Sequence, residues 1–317
     1  MTLYNTNYVA IFLAIAISTF VLTPVFRHFA KKFSILDFPG GRKHQVLPVA
    51  YLGGAAIVIP ITTSSFFLVL LDFDKKLLEE IFIGIIIPSV IIAIVGLLDD
   101  IYNLSPKIRF LSQSFVGVIT SLFLFTNGSG VKVFHPELLN TLITSLWVVG
   151  IINALNFIDN MDGLATGIAI ISSLTFFIIS FNNGQYLVAA LSIALAGSCT
   201  GFIFWNKMPA SIYLGDAGAL YIGFLLAAIS IRIDVNYLSQ IDRIVIPILI
   251  LIIPFIDTTQ VVISRIYRGK SPFQGGRDHL SHLLQNKGLS EKRVVITIWL
   301  FAIIFAAIAI YLSKSIR

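Results

Sequence analysis

GLATGIAIISSLTFFIISFNNGQYLVAALSIALAGSCTGFIFWN, residues 163–206, runs without a single Asp, Glu, Lys or Arg. A helix needs roughly 20 apolar residues to cross the hydrocarbon core of a bilayer, so this stretch is about twice too long for one crossing. FNNGQY (181–186) divides it, because adjacent Asn and Gly favour a turn. The stretch therefore predicts two membrane helices joined by a tight connection.

The rest of the chain follows the same rule. Charge-free runs recur at 1–26, 44–71, 81–98, 110–131, 138–158 and 294–313, and two weaker spans fit at about 217–232 and 244–264. Over 317 residues the composition is 57% hydrophobic and 12% charged, with mean hydropathy +0.92. That usage excludes an ordinary soluble domain. The N-terminal run has no positive leader and no small-residue cleavage site, so it reads as a span and not as a signal peptide. Cys199 is the only cysteine, which excludes a disulfide framework. The expectation is one all-α integral membrane domain, 1–317, with about ten transmembrane helices.

Lys and Arg set the orientation. Counted in alternate connections, fifteen of the 22 fall on one side, among them Lys43, Arg109, Arg265, Arg268 and Arg277. The positive-inside rule makes that side cytoplasmic and puts both termini outside. The positive face also attracts anionic lipid. Nothing in the pattern suggests a nucleic-acid partner.

The acids are sorted as well. GLLDD (96–100), NFIDNMDGLA (156–165), YLGDAG (213–218) and PFIDTT (254–259) bring carboxylates from four spans to the cytoplasmic level. Ionisable groups at a membrane edge are costly and read as functional by default. A lone Asp can instead be a helix N-cap, which is the competing reading for Asp100 and Asp216. Adjacent Asp99 and Asp100 repel unless a cation offsets them. Carboxylate and amide oxygens without a His/Cys cluster suit a hard cation such as Mg²⁺. Asn153, Asn156 and Asp159 fall on one helical stripe, with Asp162 a further step along. Acids for a metal beside bases for phosphates make a phosphoryl-transfer site.

The four motifs, with NKMPASIYLGDAG (206–218) and PFIDTTQVVISRIYRGKSPFQGGRDHLSHLL (254–284), resemble the polyprenyl-phosphate N-acetylhexosamine-1-phosphate transferases in the same order, from about Asp37 to Leu284. The resemblance implies ten helices with a cytoplasmic-face active site. It implies transfer of N-acetylhexosamine-1-phosphate, GlcNAc-1-phosphate before others, from a UDP-sugar to an undecaprenyl-type phosphate with release of UMP. Such a reaction would be the first membrane step of cell-envelope glycan synthesis, in a prokaryotic cytoplasmic membrane. The cofactor implied is Mg²⁺, with Mn²⁺ as the alternative.

By motif match, Asp216 and Asn156 are metal ligands, and Asp99, Asp100, Arg109, His279 and His282 are catalytic. Lys43, Asn153, Asp159, Asp162, Asn206 and Arg277 then bind nucleotide or substrate. Ser281 stands where the family carries a middle histidine, and the reading expects a His there to be tolerated. Sugar identity, pathway, prenyl length, direct attack against an aspartyl-phosphate, and oligomeric state (a homodimer included) stay open. The alternative is a cation- or proton-coupled transporter, which also buries Asp and Asn among helices.

Overall fold

The computed structural model describes residues 7–39, 47–70, 82–126, 137–233, 240–271, 276 and 278–315. Lys43 and Arg277 lie outside the described residues. The helices are α1 (Tyr8–Lys32), α2 (Gly53–Leu70), α3 (Ile87–Tyr102, entered through a π-helical turn at Phe82–Ile86), α4 (Pro106–Thr126), α5 (Glu137–Ile158) and α6 (Leu164–Asn182). They continue as α7 (Tyr186–Asn206), α8 (Gly215–Arg232), α9 (Gln240–Ile250), α10 (Ile252–Tyr267), α11 (Leu280–Asn286) and α12 (Glu291–Ser315). The one departure from an all-helical chain among the described residues is a hairpin of two-residue strands, β1 (Leu36–Asp37) and β2 (Val49–Ala50), paired antiparallel.

Local chemistry explains the boundaries. Asn7 caps α1 by accepting from the backbone N–H of Ala10, and Lys31 and Lys32 sit in its last turn, where cations favour the helix dipole. The long charge-free run breaks at FNNG as expected. There Gly184 takes φ +73, and Asn183 Nδ2 donates to the carbonyl of Ile179, satisfying the end of α6.

Eight helices are long and apolar enough to cross a membrane: α1, α3 with its π turn, α4 to α8, and α12. The pair α9 and α10 is bent by 82° and makes a ninth if it is one broken span. The run 44–71, also expected as a span, holds α2, Gly53–Leu70, whose described side chains give an apolar stretch over Gly53–Phe66. Its first residues are spent elsewhere, because β2 pairs with β1 and Ala50 also bridges to Ile212. Outward faces carry large apolar side chains such as Leu111, Phe115 and Leu146, more than 60% or close to it exposed, as lipid contact requires.

The bundle is organised around α8, which packs on α2, α3, α5, α6 and α7 and buries nearly every residue from Gly215 to Ser230. Close approach depends on small residues. A Cβ at Gly96 of α3 would stand 2.5 Å from the backbone carbonyl of Asp216, and one at Gly54 of α2 would stand 2.2 Å from the backbone N of Gly218. Small residues at such crossings let backbones meet where lipid gives no hydrophobic drive. Gly96→Val should therefore separate α3 from α8 and destabilise the protein by about 1–3 kcal/mol, as overpacking does. Gly150→Ala, whose Cβ meets nothing within 4 Å, is the control. Thermal unfolding in detergent should show a lowered midpoint for the first only, and equal midpoints would mean that α3 and α8 have slack.

Candidate active site

At one end of the bundle α3, α5 and α7 finish and α4, α8 and α12 begin. Between them opens a polar cleft of about 1160 Å³. Its wall includes Asp99, Asp100, Arg109, Asn156, Asp159, Asp162, Asn206, Asp216 and His282. Nine of the thirteen residues expected at the site thus share one cavity. Seven carboxylates line it, counting Asp37 and Glu291, against Arg109 as the one Lys or Arg among the described lining residues.

The acids differ in what their oxygens do. Arg109 Nη1 lies 2.9 Å from Asp99 Oδ2 and 3.5 Å from Asp216 Oδ2, so one guanidinium spans two carboxylates from two helices. Asn156 Nδ2 donates to Asp216 Oδ1. Asp100 reaches across from α3 to cap α8, accepting from the backbone N–H groups of Asp216 at 2.8 Å and Ala217 at 3.1 Å. The residue before α8 makes no side-chain cap of its own. Gly215 is held at φ +72, and a Cβ there would meet Asp100 Oδ2 at 2.6 Å. The cap reading set against a catalytic one for Asp100 is therefore realised in the geometry, between helices and not within one.

The loop after α5 is divided in the same way. Asp159, half-buried, is pushed up to about 7, first by burial and then by the charges of Asp100 and Asp162. Burial also raises Asp162, while the Ala210 N–H that it accepts at 2.8 Å pulls the other way. Asn206 is buried with both ends of its amide engaged, accepting from Thr166 Oγ1 and donating to the carbonyl of Ile212. Asp162 and Asn206 thus brace the cleft wall that they help to line.

Asn153 is not on the wall of that cleft. It faces a side chamber of about 40 Å³, room for a water or two, lined also by Gln113, Phe110 and Phe157. Its Nδ2 donates to Gln113 Oε1 and to the carbonyl of Val149. Arg109, Asn156 and Asp216 border both spaces and form the partition between them.

The two histidines separate as well. His282 lines the cleft. His279 is buried, its Nδ1 2.8 Å from Asp257 Oδ2, and Asp257 Oδ1 also accepts the backbone N–H of Leu280 at 2.7 Å, capping α11. Ser281 is 1% exposed and donates to Asn160 Oδ1 at 2.7 Å. Position 281 is therefore closed to an imidazole, and the expected tolerance of Ser281→His gives way to an expected loss.

Asp37, Tyr51, Tyr213, Gln113, Asn160 and Glu291 were missed in the sequence. Tyr51 hydrogen-bonds Asp37, and burial, helped by that carboxylate's charge, holds its hydroxyl protonated far above neutral pH. Tyr51 and Tyr213 meet edge to face at 6.0 Å. Only Gln113 gave a usable signal, an amide side chain four residues after Arg109 and so on the same helix face.

No three His, Cys, Asp or Glu side chains among the described residues enclose an ion by themselves. Asp216, with Asp99 beside it and the amide oxygen of Asn156, still supplies hard oxygen donors in a cleft with excess negative charge. Mg²⁺ held by one or two carboxylates and completed by substrate phosphates matches such an open, oxygen-only arrangement. The residues fit.

Residues 82–234 match the family model described as Glycosyl transferase family 4. The chain is similar to a probable undecaprenyl-phosphate N-acetylglucosaminyl 1-phosphate transferase of Bacillus subtilis (strain 168), 32% identical over 97% of this chain and 85% of the relative. It is 29% identical to a decaprenyl-phosphate N-acetylglucosaminephosphotransferase of Mycolicibacterium smegmatis, over 93% and 79% of the two chains. A phospho-N-acetylmuramoyl-pentapeptide-transferase of Halalkalibacterium halodurans is 28% identical over 93% and 94%.

Two outcomes follow from the geometry. Asp100→Ala removes an interhelical cap and should lower stability by about 0.5–2 kcal/mol, whereas Asp99→Asn trades the Arg109 ion pair for relief of like-charge repulsion and should shift the thermal midpoint less. Equal shifts in the two variants would return Asp100 to the same role as Asp99. His282→Ala should cut turnover at least about tenfold, the order for losing one positioned donor, at unchanged midpoint. His279→Ala should lower the midpoint too, because it leaves buried Asp257 unpaired, and a midpoint like wild type would show that Asp257 needs no partner.

Proposed function

The chain belongs to glycosyl transferase family 4, the polyprenyl-phosphate hexosamine-1-phosphate transferases, and from that premise we propose that it moves GlcNAc-1-phosphate from UDP-GlcNAc to an undecaprenyl-type phosphate, releasing UMP. The observation that carries the reading is the cleft of about 1160 Å³ in which Asp99, Asp216 and Asn156 gather oxygen donors beside the Arg109 guanidinium. Two anionic substrates need such a meeting point. The multi-pass membrane character is plain from the eight to nine spans. We place the cleft on the cytoplasmic side, where nucleotide sugars are made, with ten spans and both termini outside, on the distribution of Lys and Arg.

A lipid phosphate with a second pKa of about 6 is largely dianionic at neutral pH and needs little help from a base. Its oxygen attacks the sugar-bearing phosphorus of UDP-GlcNAc. A new P–O bond forms there, the bond from that phosphorus to the bridging oxygen breaks, and UMP leaves with that oxygen. Arg109 binds phosphate oxygens beside Asp216, and His282, which lines the same cleft, donates to the diphosphate. Tyr213 offers an aromatic face to the base. Asp216 and Asn156 would hold Mg²⁺, which when bound offsets the charge of both anions and of the leaving UMP. Because both oxygens of Asp100 are committed to backbone N–H groups, we favour direct attack over an aspartyl-phosphate at that residue.

The acceptor's chain has a place as well. An apolar groove of about 570 Å³ runs along α10 past Phe255, Ile256, Ile263 and Tyr267, outside the bundle. Family membership sets the transporter alternative aside.

Purified protein with polyprenyl phosphate, Mg²⁺ and UDP-GlcNAc should release UMP, and Asp216→Asn should fold and lose nearly all of that release. UMP from another UDP-sugar at a higher kcat/KM would correct the sugar. No release with any UDP-sugar would sink the reading.

A further inference from the structure

We infer that Asn160 and Ser281 form a positioning clasp, which fixes the loop carrying Asp159 and Asp162 against the helix that aims His282. The inference rests on the transferase reading for what is positioned. Asn160 is on the cleft wall, where an amide would ordinarily be taken for a substrate contact. Both ends of it are nevertheless engaged. Its Nδ2 donates to the carbonyl of Phe157 at 2.9 Å, one of the end-of-helix acceptors of α5, and its Oδ1 accepts from Ser281 Oγ at 2.7 Å.

Ser281 is 1% exposed, so water does not compete for that bond. Nearby contacts join the same two elements. Phe157 of α5 meets the ring of His279 at 6.1 Å and lies under the Arg265 guanidinium of α10 at 5.9 Å. On its other side α11 is pinned by Asp257 through the Leu280 N–H and His279. A seven-residue helix held at Leu280 by one partner and at Ser281 by another has its rotation set. Successive side chains on a helix point about 100° apart, so fixing Ser281 in the interior turns His282 toward the cleft. The same bond sets the loop, because Asn160 adjoins Asp159 and stands one helical turn beyond Asn156. Without the hydroxyl, Asn160 Oδ1 would lose its partner and its amide could swing into the space meant for the nucleotide sugar.

The test uses the full-length protein as Ser281→Ala, Asn160→Ala, the double variant and Ser281→Thr. UMP release gives kcat and both KM values, calorimetric titration gives the UDP affinity, and the thermal midpoint is measured for each. We expect each alanine variant to lose about tenfold in kcat/KM for UDP-GlcNAc, with the KM for polyprenyl phosphate within about twofold of wild type. The double should be no worse than the poorer single, as contacting residues behave, and Ser281→Thr should recover most of the loss. Independent multiplying losses, single variants within about twofold of wild type, or a lowered midpoint at unchanged kinetics would each overturn the clasp. If wild type releases no UMP, the transferase reading fails by itself. UDP affinity then still decides, since a tenfold weakening shared by the singles and the double supports the clasp and equal affinity across all variants sinks it.

Discussion

The approach of α3 to α8 is the constraint on which the site rests. Gly96 leaves no gap for a methyl group against the backbone of Asp216, and this closeness lets a carboxylate one turn further along α3 reach the start of α8. Asp100 then does for α8 what a cap within its own sequence would do elsewhere, with favourable interaction between its charge and the positive end of the helix dipole. Asp216 is delivered at the mouth of the best-buried helix in the bundle, and Asp99 beside it is delivered to Arg109. A wider crossing would spread these groups apart. The active-site spacing is therefore a consequence of helix packing before it is a matter of individual side chains.

That packing creates an electrostatic imbalance. Among the described residues, seven carboxylates and one guanidinium line a cleft that we propose takes a diphosphate and a second phosphate. Asp159, half-buried beside Asp100 and Asp162, is raised first by burial and then by those two charges. Cations are thus a condition of binding and not an accessory to the chemistry. Arg109 supplies one, and the oxygen donors around Asp216 suit a divalent ion that becomes fully coordinated only when phosphates arrive. Cation and substrate should accordingly bind with mutual dependence, each lowering the electrostatic cost of the other.

Most of the bundle was legible in the sequence, because charge-free runs of span length have no other stable solution in a chain this apolar. Two places show detail that the reading did not hold, and each has a local cause. The run 44–71 looked uniform, yet its opening residues are drawn into pairing with Leu36, Asp37 and Ile212, a long-range choice that no window of hydropathy reports. The bend at α9 and α10 falls in an apolar stretch interrupted by Pro247 and Pro254, where helix breaking was visible and its size was not. In the site, motif positions told which residues gather, and nine of them line one cavity. They did not tell which oxygens are left for a ligand. Asp100 has both oxygens committed to backbone, Asp162 has one, Asn206 has its own committed to Thr166, and Asn153 faces a separate chamber.

The difference between lining a site and serving it runs through the whole cleft. Residues that meet substrate need unsatisfied hydrogen-bonding capacity, which is destabilising until the substrate comes. Residues that hold them in place need the reverse. Here the two kinds alternate along the chain: Asp99 faces Arg109 while Asp100 caps, Asp159 faces the cleft while Asn160 clasps, and His282 faces the cleft while Ser281 and His279 anchor. Adjacent residues on a helix or tight turn point in different directions, so each functional group has its restraint one position away. A motif such as GLLDD or HLSH is then read as a functional residue coupled to its own support, and its length reflects that pairing more than the number of groups the chemistry uses.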